Sequence, residues 1–176
     1  MLDVDEVRQR VIEMVEVSAG FALTAEEKAN IIVVGFGQED FFAWGAAAID
    51  TILHPRYGGR LIVFFPNQRF PEHWHPDVDE DGGKEETFRV LWGQVRIYSP
   101  GASSAGALER IPAGKEAAFT SRHETILNPG EQVTAGRHER HWLVAGPEGT
   151  VGLEISSTVR DSFDQWTDSS IKPVVF

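Results

Sequence analysis

The chain has 176 residues, 41% of them hydrophobic, enough to bury one ordinary core without covalent staples. It has no cysteine, which excludes thiolate metal sites and disulfides. Sixteen Lys and Arg against 27 Asp and Glu leave a formal charge of −11, a field that repels nucleic acid and anionic membranes and mildly disfavours phosphorylated substrates.

The amino terminus is acidic and has no apolar run of signal-peptide length. No later stretch approaches the roughly 18–20 apolar residues that span a bilayer, so a cytoplasmic protein is expected. Val4, Val7, Val11 and Val15 recur at helical spacing between charged residues, which predicts an amphipathic helix over 4–15. Thr24 followed by Glu27 has the form of a capping box, so a second short helix is expected from Ala25. From Ile31 the texture changes to short β-prone runs: IIVVGF, AAAIDTIL, RLIVFF, ETFRVLWG, QVRIY, EAAFT, EQVTA, HWLVAG and VGLEISS. Turn formers such as PNQ, SPG, PAGK, NPGE and GPEG separate them. This predicts a mainly β fold, an antiparallel sandwich or barrel with no internal repeat and no linker. The expected organisation is a helical extension over 1–30 packed on a barrel over 31–176, one domain in all.

Within the β region, His73 and His75 are one residue apart. On a strand they share a face, so both can hold one ion while Trp74 points away. The surrounding spacing resembles the two motifs of the cupin family. Asn67 is followed after five residues by His73, and Glu86 after six by Gly93, as in the first motif. Cupins usually carry Gly where Asn67 stands, but Asn tolerates positive φ better than most residues, so the turn can survive the exchange. Laying the second motif on Gly130 puts Gly136 at its Pro, His138 at its second Gly and His141 at its ligand. Spacing thus selects His141 over His138, and the predicted fold becomes a cupin jelly-roll barrel with short N-terminal helices.

His73, His75, Glu86 and His141 are the expected ligands of one divalent metal ion per chain. Three imidazoles and a carboxylate suit manganese, iron, cobalt, nickel or zinc and leave open positions on a six-coordinate ion. Between His75 and Glu86 lies an acidic loop, residues 76–83. It lacks the spacing and terminal Glu of a calcium-binding loop, so it is expected to be a solvated loop beside the pocket mouth.

The chain from about Ile31 to Pro173 also resembles the D-lyxose ketol-isomerases. The likeness is carried by HPRYGGRLIVFFPNQRFPEHWHP, GKEETFRVLWGQVRIYSPG, LNPGEQVT, HWLVAGPEGTVGLEISS and DSFDQWTD. It implies a homodimeric enzyme that interconverts D-lyxose and D-xylulose with a divalent cation, typically manganese, on the same four ligands. It also implies a small neutral sugar as partner. The departures at Asn67, Gly136 and His138, and the segment AGRHER, lie beside the fourth ligand.

Lys84 stands two residues before Glu86 and so faces the ligand side if the strand begins there, and the family carries Lys at this place. Glu154 sits among apolar residues of a predicted strand, where an unpaired carboxylate is costly to bury; the family carries Glu there. Both are read as catalytic: Glu154 as the simpler base, Lys84 as a base if desolvation lowers its pKa, or as a group that steadies the sugar oxygens. Glu85 is expected to make an outer ion pair, and Arg89, which alternates away from Glu86, to lie on the surface or at an interface. His54 and His123 have no motif support, and no role is assigned to His138. Arg56, Arg60, Lys84 and Arg89 are candidates for a local cationic site, although they form no dense run.

The resulting reading is a metal-dependent aldose–ketose isomerase working through a cis-enediolate. Two alternatives share the metal site: an iron and O₂ dioxygenase, and a non-catalytic sugar-binding cupin. The second would normally bring a basic DNA-binding helix pair, for which this acidic chain has no room.

Overall fold

The computed structural model describes residues 2–38, 40–80 and 82–176. Helix α1 (Val4–Glu13) starts at Asp3, whose carboxylate accepts from the Glu6 amide at 3.0 Å. A wide π-type turn, Met14–Ser18, extends it and keeps Val15 buried on the side of Val7 and Val11. Helix α2 (Ala25–Ala29) begins with the expected capping box: Glu27 N donates to Thr24 Oγ1 and Thr24 N to Glu27 Oε2, at 3.2 and 2.8 Å.

Ten strands follow. They are β1 (Ile32–Gly35), β2 (Gly45–His54), β3 (Tyr57–Phe64), β4 (Arg69–Trp74), β5 (Glu86–Ser99), β6 (His123–Leu127), β7 (Gln132–Ala135), β8 (His141–Ser157), β9 (Gln165–Trp166) and β10 (Val174–Val175). All their ladders are antiparallel. The order β10-β1-β2-β3-β8-β4-β9 is joined by β5, which pairs with β6, β7 and β8. Strand β8 changes neighbours along its length. Residues 150–157 pair with β3, residues 141–144 pair with β4, and both halves pair with β5. The two layers that result form the mainly β barrel expected, with short helices at its N-terminal end.

The apolar run RLIVFF does not alternate because β3 is covered on both sides. Leu61 and Val63 face outward under Val7, Val11 and Val15, whereas Ile62 and Phe64 face into the barrel with Phe88, Val90 and Leu143. Two pairs of expected strands prove to be single ones: ETFRVLWG with QVRIY in β5, and HWLVAG with VGLEISS in β8. Gly93 makes this possible. Its φ is +78°, and a Cβ there would stand 2.1 Å from the Gly149 carbonyl oxygen, so β5 can pass the β8 bend only without a side chain.

EAAFT is not a strand: Glu116–Ala118 form a 3₁₀ turn that delivers Phe119 against Trp142. Its alanines carry little β preference. HETIL, by contrast, is β6, paired with the second half of β5, its pattern masked by His123 and Glu124. Asn67 adopts φ +58° in the β3–β4 turn, as anticipated from its tolerance of that region. Among the described residues no helix is long and apolar enough to cross a membrane. Gly93→Ala is expected to cost about 2 kcal/mol or more, from left-handed strain plus the carbonyl clash, read as a lower denaturant midpoint with unchanged slope.

Candidate metal centre

Three strand ends meet at one end of the barrel. His73 is on β4 and His75 follows it directly, Glu86 opens β5 and His141 opens β8. His73 and His141 are cross-strand partners, with ring centroids 4.2 Å apart, and the His73 and His75 rings are 5.0 Å apart. One nitrogen or oxygen from each of His73, His75, Glu86 and His141 lies within 4.8 Å of the others. All three histidines are buried. The structure therefore brings together the four residues selected by motif spacing. His138 stays outside: its ring pairs with Asp77 at 2.7 Å, and it adopts φ +62° at the place where the motif has glycine.

Each imidazole is oriented from behind. Nδ1 of His73 lies 3.0 Å from the Pro71 carbonyl, Nδ1 of His141 2.9 Å from the Glu139 carbonyl, and Nδ1 of His75 2.7 Å from Asp164 Oδ1. A carbonyl only accepts, so Nδ1 of His73 and His141 carries the proton and Nε2 presents a lone pair to the centre. His141 Nε2 then faces Glu86 Oε1 at 2.9 Å, two acceptors that only a proton or a cation can join. His75 Nε2 is buried, makes no hydrogen bond and stands 3.4 Å from Glu86 Oε2. These are the features of a site built to hold a cation, and the nitrogen–oxygen donor set fits a divalent transition ion.

The carboxylate and ammonium groups interlock. Lys84 Nζ lies 2.5 Å from Glu86 Oε2 and 2.9 Å from Glu154 Oε1, with all three side chains largely buried. Burial by itself would lower the ammonium's pKa, but the charges of Glu86 and Glu154 outweigh it and raise it. The desolvation route to a lysine base is thus overruled by two neighbouring carboxylates. Burial works to raise Glu86, yet Lys84 and its contacts with His141 and His75 hold it well below the usual carboxylate range. Glu154 moves the other way: burial and the charge of Glu86 raise it, opposed only in part by Lys84 and Arg60. Burial and the neighbouring rings of His141 and His75 push His73 well below the usual imidazole value.

Arg60, on the same row as Glu154, binds Asp50 and Asp161 at 2.6 Å each. Arg60 and Lys84 are therefore neutralised; of the other two candidates for a local cationic site, Arg56 lines an outer pocket with Lys84, and Arg89 is remote from it. Arg89 is exposed and donates to Gln132. Glu85 makes no ion pair among the described residues; its backbone pairs with Ser157. His54 and His123 are exposed, His54 stacked on Tyr57.

Sequence reasoning missed three contributors. Asp164, within the quoted DSFDQWTD, orients His75 from a segment 89 residues away. Trp166 packs 5.3 Å from the His73 ring. Glu72 is buried and accepts from Thr120 Oγ1, Ser121 N and Thr167 Oγ1 at 2.7–2.8 Å, pinning β4 from its outer side. Only the tertiary pairing of these distant groups reveals them. The acidic loop borders an outer pocket with Pro76, Val78, Gly82 and Gly83; its Asp81 lies outside the described residues.

No family model matches the chain. It is 42% identical over 172 residues to the D-lyxose ketol-isomerase of Cohnella laeviribosi, a match covering 97% of this chain and 94% of the relative. The chain belongs to the D-lyxose ketol-isomerase family. A second relative of this isomerase, the D-lyxose/D-mannose isomerase of Thermosediminibacter oceani, is 40% identical over 171 residues, with the same coverage. In fold it is similar to the L-ribose isomerase of Cellulomonas parahominis solved with L-ribose. The TM-score is 0.77 at 14% identity, covering 94% of this chain and 91% of the other.

Burial opposes the His75 proton, but the neighbouring carboxylates of Asp164 and Glu86 prevail and push the pKa from 6.5 up to about 9. A group held higher in the folded state contributes stability that is complete below about 6.5 and lost as pH rises through 9. A metal ion needs that nitrogen deprotonated. Loading near pH 7 is thus expected to release about one proton per ion, with apparent affinity rising with pH towards 9, measured by calorimetry in buffers of different ionisation enthalpy.

Proposed function

We propose that this family member is a metal-dependent isomerase interconverting D-lyxose and D-xylulose, or a related free aldose and its ketose, with one divalent ion, manganese foremost, on His73, His75, Glu86 and His141. The observation that carries the reading is the position of the Lys84–Glu154 pair. It lies directly beside the four-residue cluster and lines the same barrel cavity of about 310 Å³. A bound ion would polarise the sugar carbonyl, acidify the neighbouring C–H and offset the charge of a cis-enediolate.

The chain's own residues divide the remaining work. Moving a hydrogen between C1 and C2 through an enediolate requires a group that takes up a proton and returns it on one face. Glu154 is suited to this because burial and Glu86 raise its proton affinity above that of an ordinary carboxylate. Lys84, kept protonated by two carboxylates, acts as a fixed donor to the sugar oxygens and holds Glu86 and Glu154 in place. His73, His75 and His141 need only present Nε2, since their other nitrogens are engaged. With Arg60 and Lys84 neutralised, the cavity offers no free cation to a phosphate among the described residues, which favours a neutral aldose.

Glu154→Gln and Lys84→Met are expected to lower kcat by ~10²–10⁴ while metal content stays intact. His141→Ala should lose metal and activity together, and His138→Asn should keep both; elemental analysis and a D-lyxose assay read all four. In deuterated water the product should carry solvent label at C1 or C2. Complete retention of the substrate hydrogen would remove the base role given to Glu154, and inactivity on every free aldose with any added ion would end the isomerase reading.

We further propose a homodimer formed through the outer β-surface. Exposed Ile52 and Ile155 flank Gly59 in one cross-strand row of β2, β3 and β8, beside exposed Leu53 and Tyr57. Light scattering is expected to give twice the 19.5 kDa chain mass, and Ile155→Arg to return it to the monomer.

A further inference from the structure

The barrel cavity is divided along its strands. Asp50, Arg60 and Glu154 form one cross-strand row of β2, β3 and β8 at the metal end. The next row facing the interior is Ile32, Ala48, Ile62 and Gly152, and beyond it Val34 pairs with Ala46 and Phe64 with Thr150. The Thr150 hydroxyl is already committed to the Gln94 carbonyl. The opposite layer repeats the gradient: His73 gives way to Phe70 along β4, and His141 to Leu143 along β8. Polar lining is thus confined to the metal end. Among the described residues, the far half presents no hydroxyl, carboxylate, side-chain amide or cation to the cavity.

A sugar held by its C1 and C2 oxygens at the metal end, with its remaining carbons in the barrel cavity, extends along this gradient. A terminal hydroxymethyl carried into the far half would meet Val34, Ala46, Ile62 and Phe64 and leave its hydroxyl without a partner, which is costly. A methyl group in its place gains from the same burial. The small side chains of Ala46 and Ala48, facing Ile62 and Phe64, leave the room for that extra carbon. We propose that the far half of the cavity is a subsite for a deoxygenated sugar terminus, so that 6-deoxyaldohexoses are a substrate class taken in preference to the parent hexoses. The inference rests on the isomerase reading for the chemistry at C1 and C2, but the subsite itself rests on the cavity wall.

The test compares D-mannose with 6-deoxy-D-mannose, which differ in that one hydroxyl. kcat/KM is measured on the metal-loaded protein, and binding of the two corresponding alditols, which lack a carbonyl, is measured by calorimetry. A preference of about tenfold or more for the deoxy compound is expected in both readouts. Val34→Thr places a hydroxyl in the wall at nearly the same volume and should shrink the preference at least about threefold. Turnover of D-mannose with a ratio of one or below overturns the subsite and leaves the isomerase reading standing, and a ratio unmoved by Val34→Thr overturns the placement of the terminus. A deoxy preference in alditol binding without turnover of any aldose supports the subsite and sinks the isomerase reading instead.

Discussion

The antiparallel register of β8 with β4 and β5 is the constraint on which the rest of the site depends. It sets His141 opposite His73 and carries Glu154 next to Phe88, two residues beyond Glu86. One strand thereby supplies both the third imidazole and the proton-transfer candidate, 13 residues apart in sequence, from two different layers. A slip of one residue would turn both side chains out of the barrel, because successive strand residues face opposite sides. The long pairing survives the bend at residues 146–149 because Gly93 offers no Cβ to the Gly149 carbonyl.

Charge sets the second condition. Asp50, Glu86, Glu154, Asp161 and Asp164 crowd one end of the barrel, where Arg60 pairs with Asp50 and Asp161, Lys84 with Glu86 and Glu154, and His75 with Asp164. A divalent ion at the histidines, as proposed, would add positive charge to this acidic end. It would also relieve the acceptor-to-acceptor contact between His141 and Glu86. In its absence the proton held by His75 serves in part, which is why folding, protonation and ion binding are linked at this one ring. Lys84 is embedded in the same balance, since its ammonium is the partner of two buried carboxylates as well as a donor facing the cavity.

Much of this was legible in the sequence because it depends on local spacing. The pair His73 and His75 shares a face by the two-residue period of a strand, and Asn67 can enter positive φ for reasons internal to the residue. The valines of α1 and the capping box at Thr24 are equally local and appear as anticipated. The choice of His141 over His138 followed from motif spacing alone, and the structure places His141 in the cluster and His138 against Asp77.

What spacing could not determine is what depends on partners brought from afar. The direction of the Lys84 shift turned on two carboxylates, one of them 70 residues downstream, whose combined charge outweighs desolvation. The orientation of His75 by Asp164, the clamp on Glu72 and the neutralisation of Arg60 by Asp50 and Asp161 have no periodic signature, because each joins segments that meet only when the layers close. Even strand identity followed this rule, with EAAFT drawn into a turn by the burial of Phe119 and HETIL drawn into the sheet by β5. The sequence by itself determined which side chains are able to share an ion, since that is a matter of residue type and strand period. The tertiary structure decided their protonation, their orientation and the polarity of the cavity around them, since electrostatic and packing energies belong to neighbours rather than to positions in the chain.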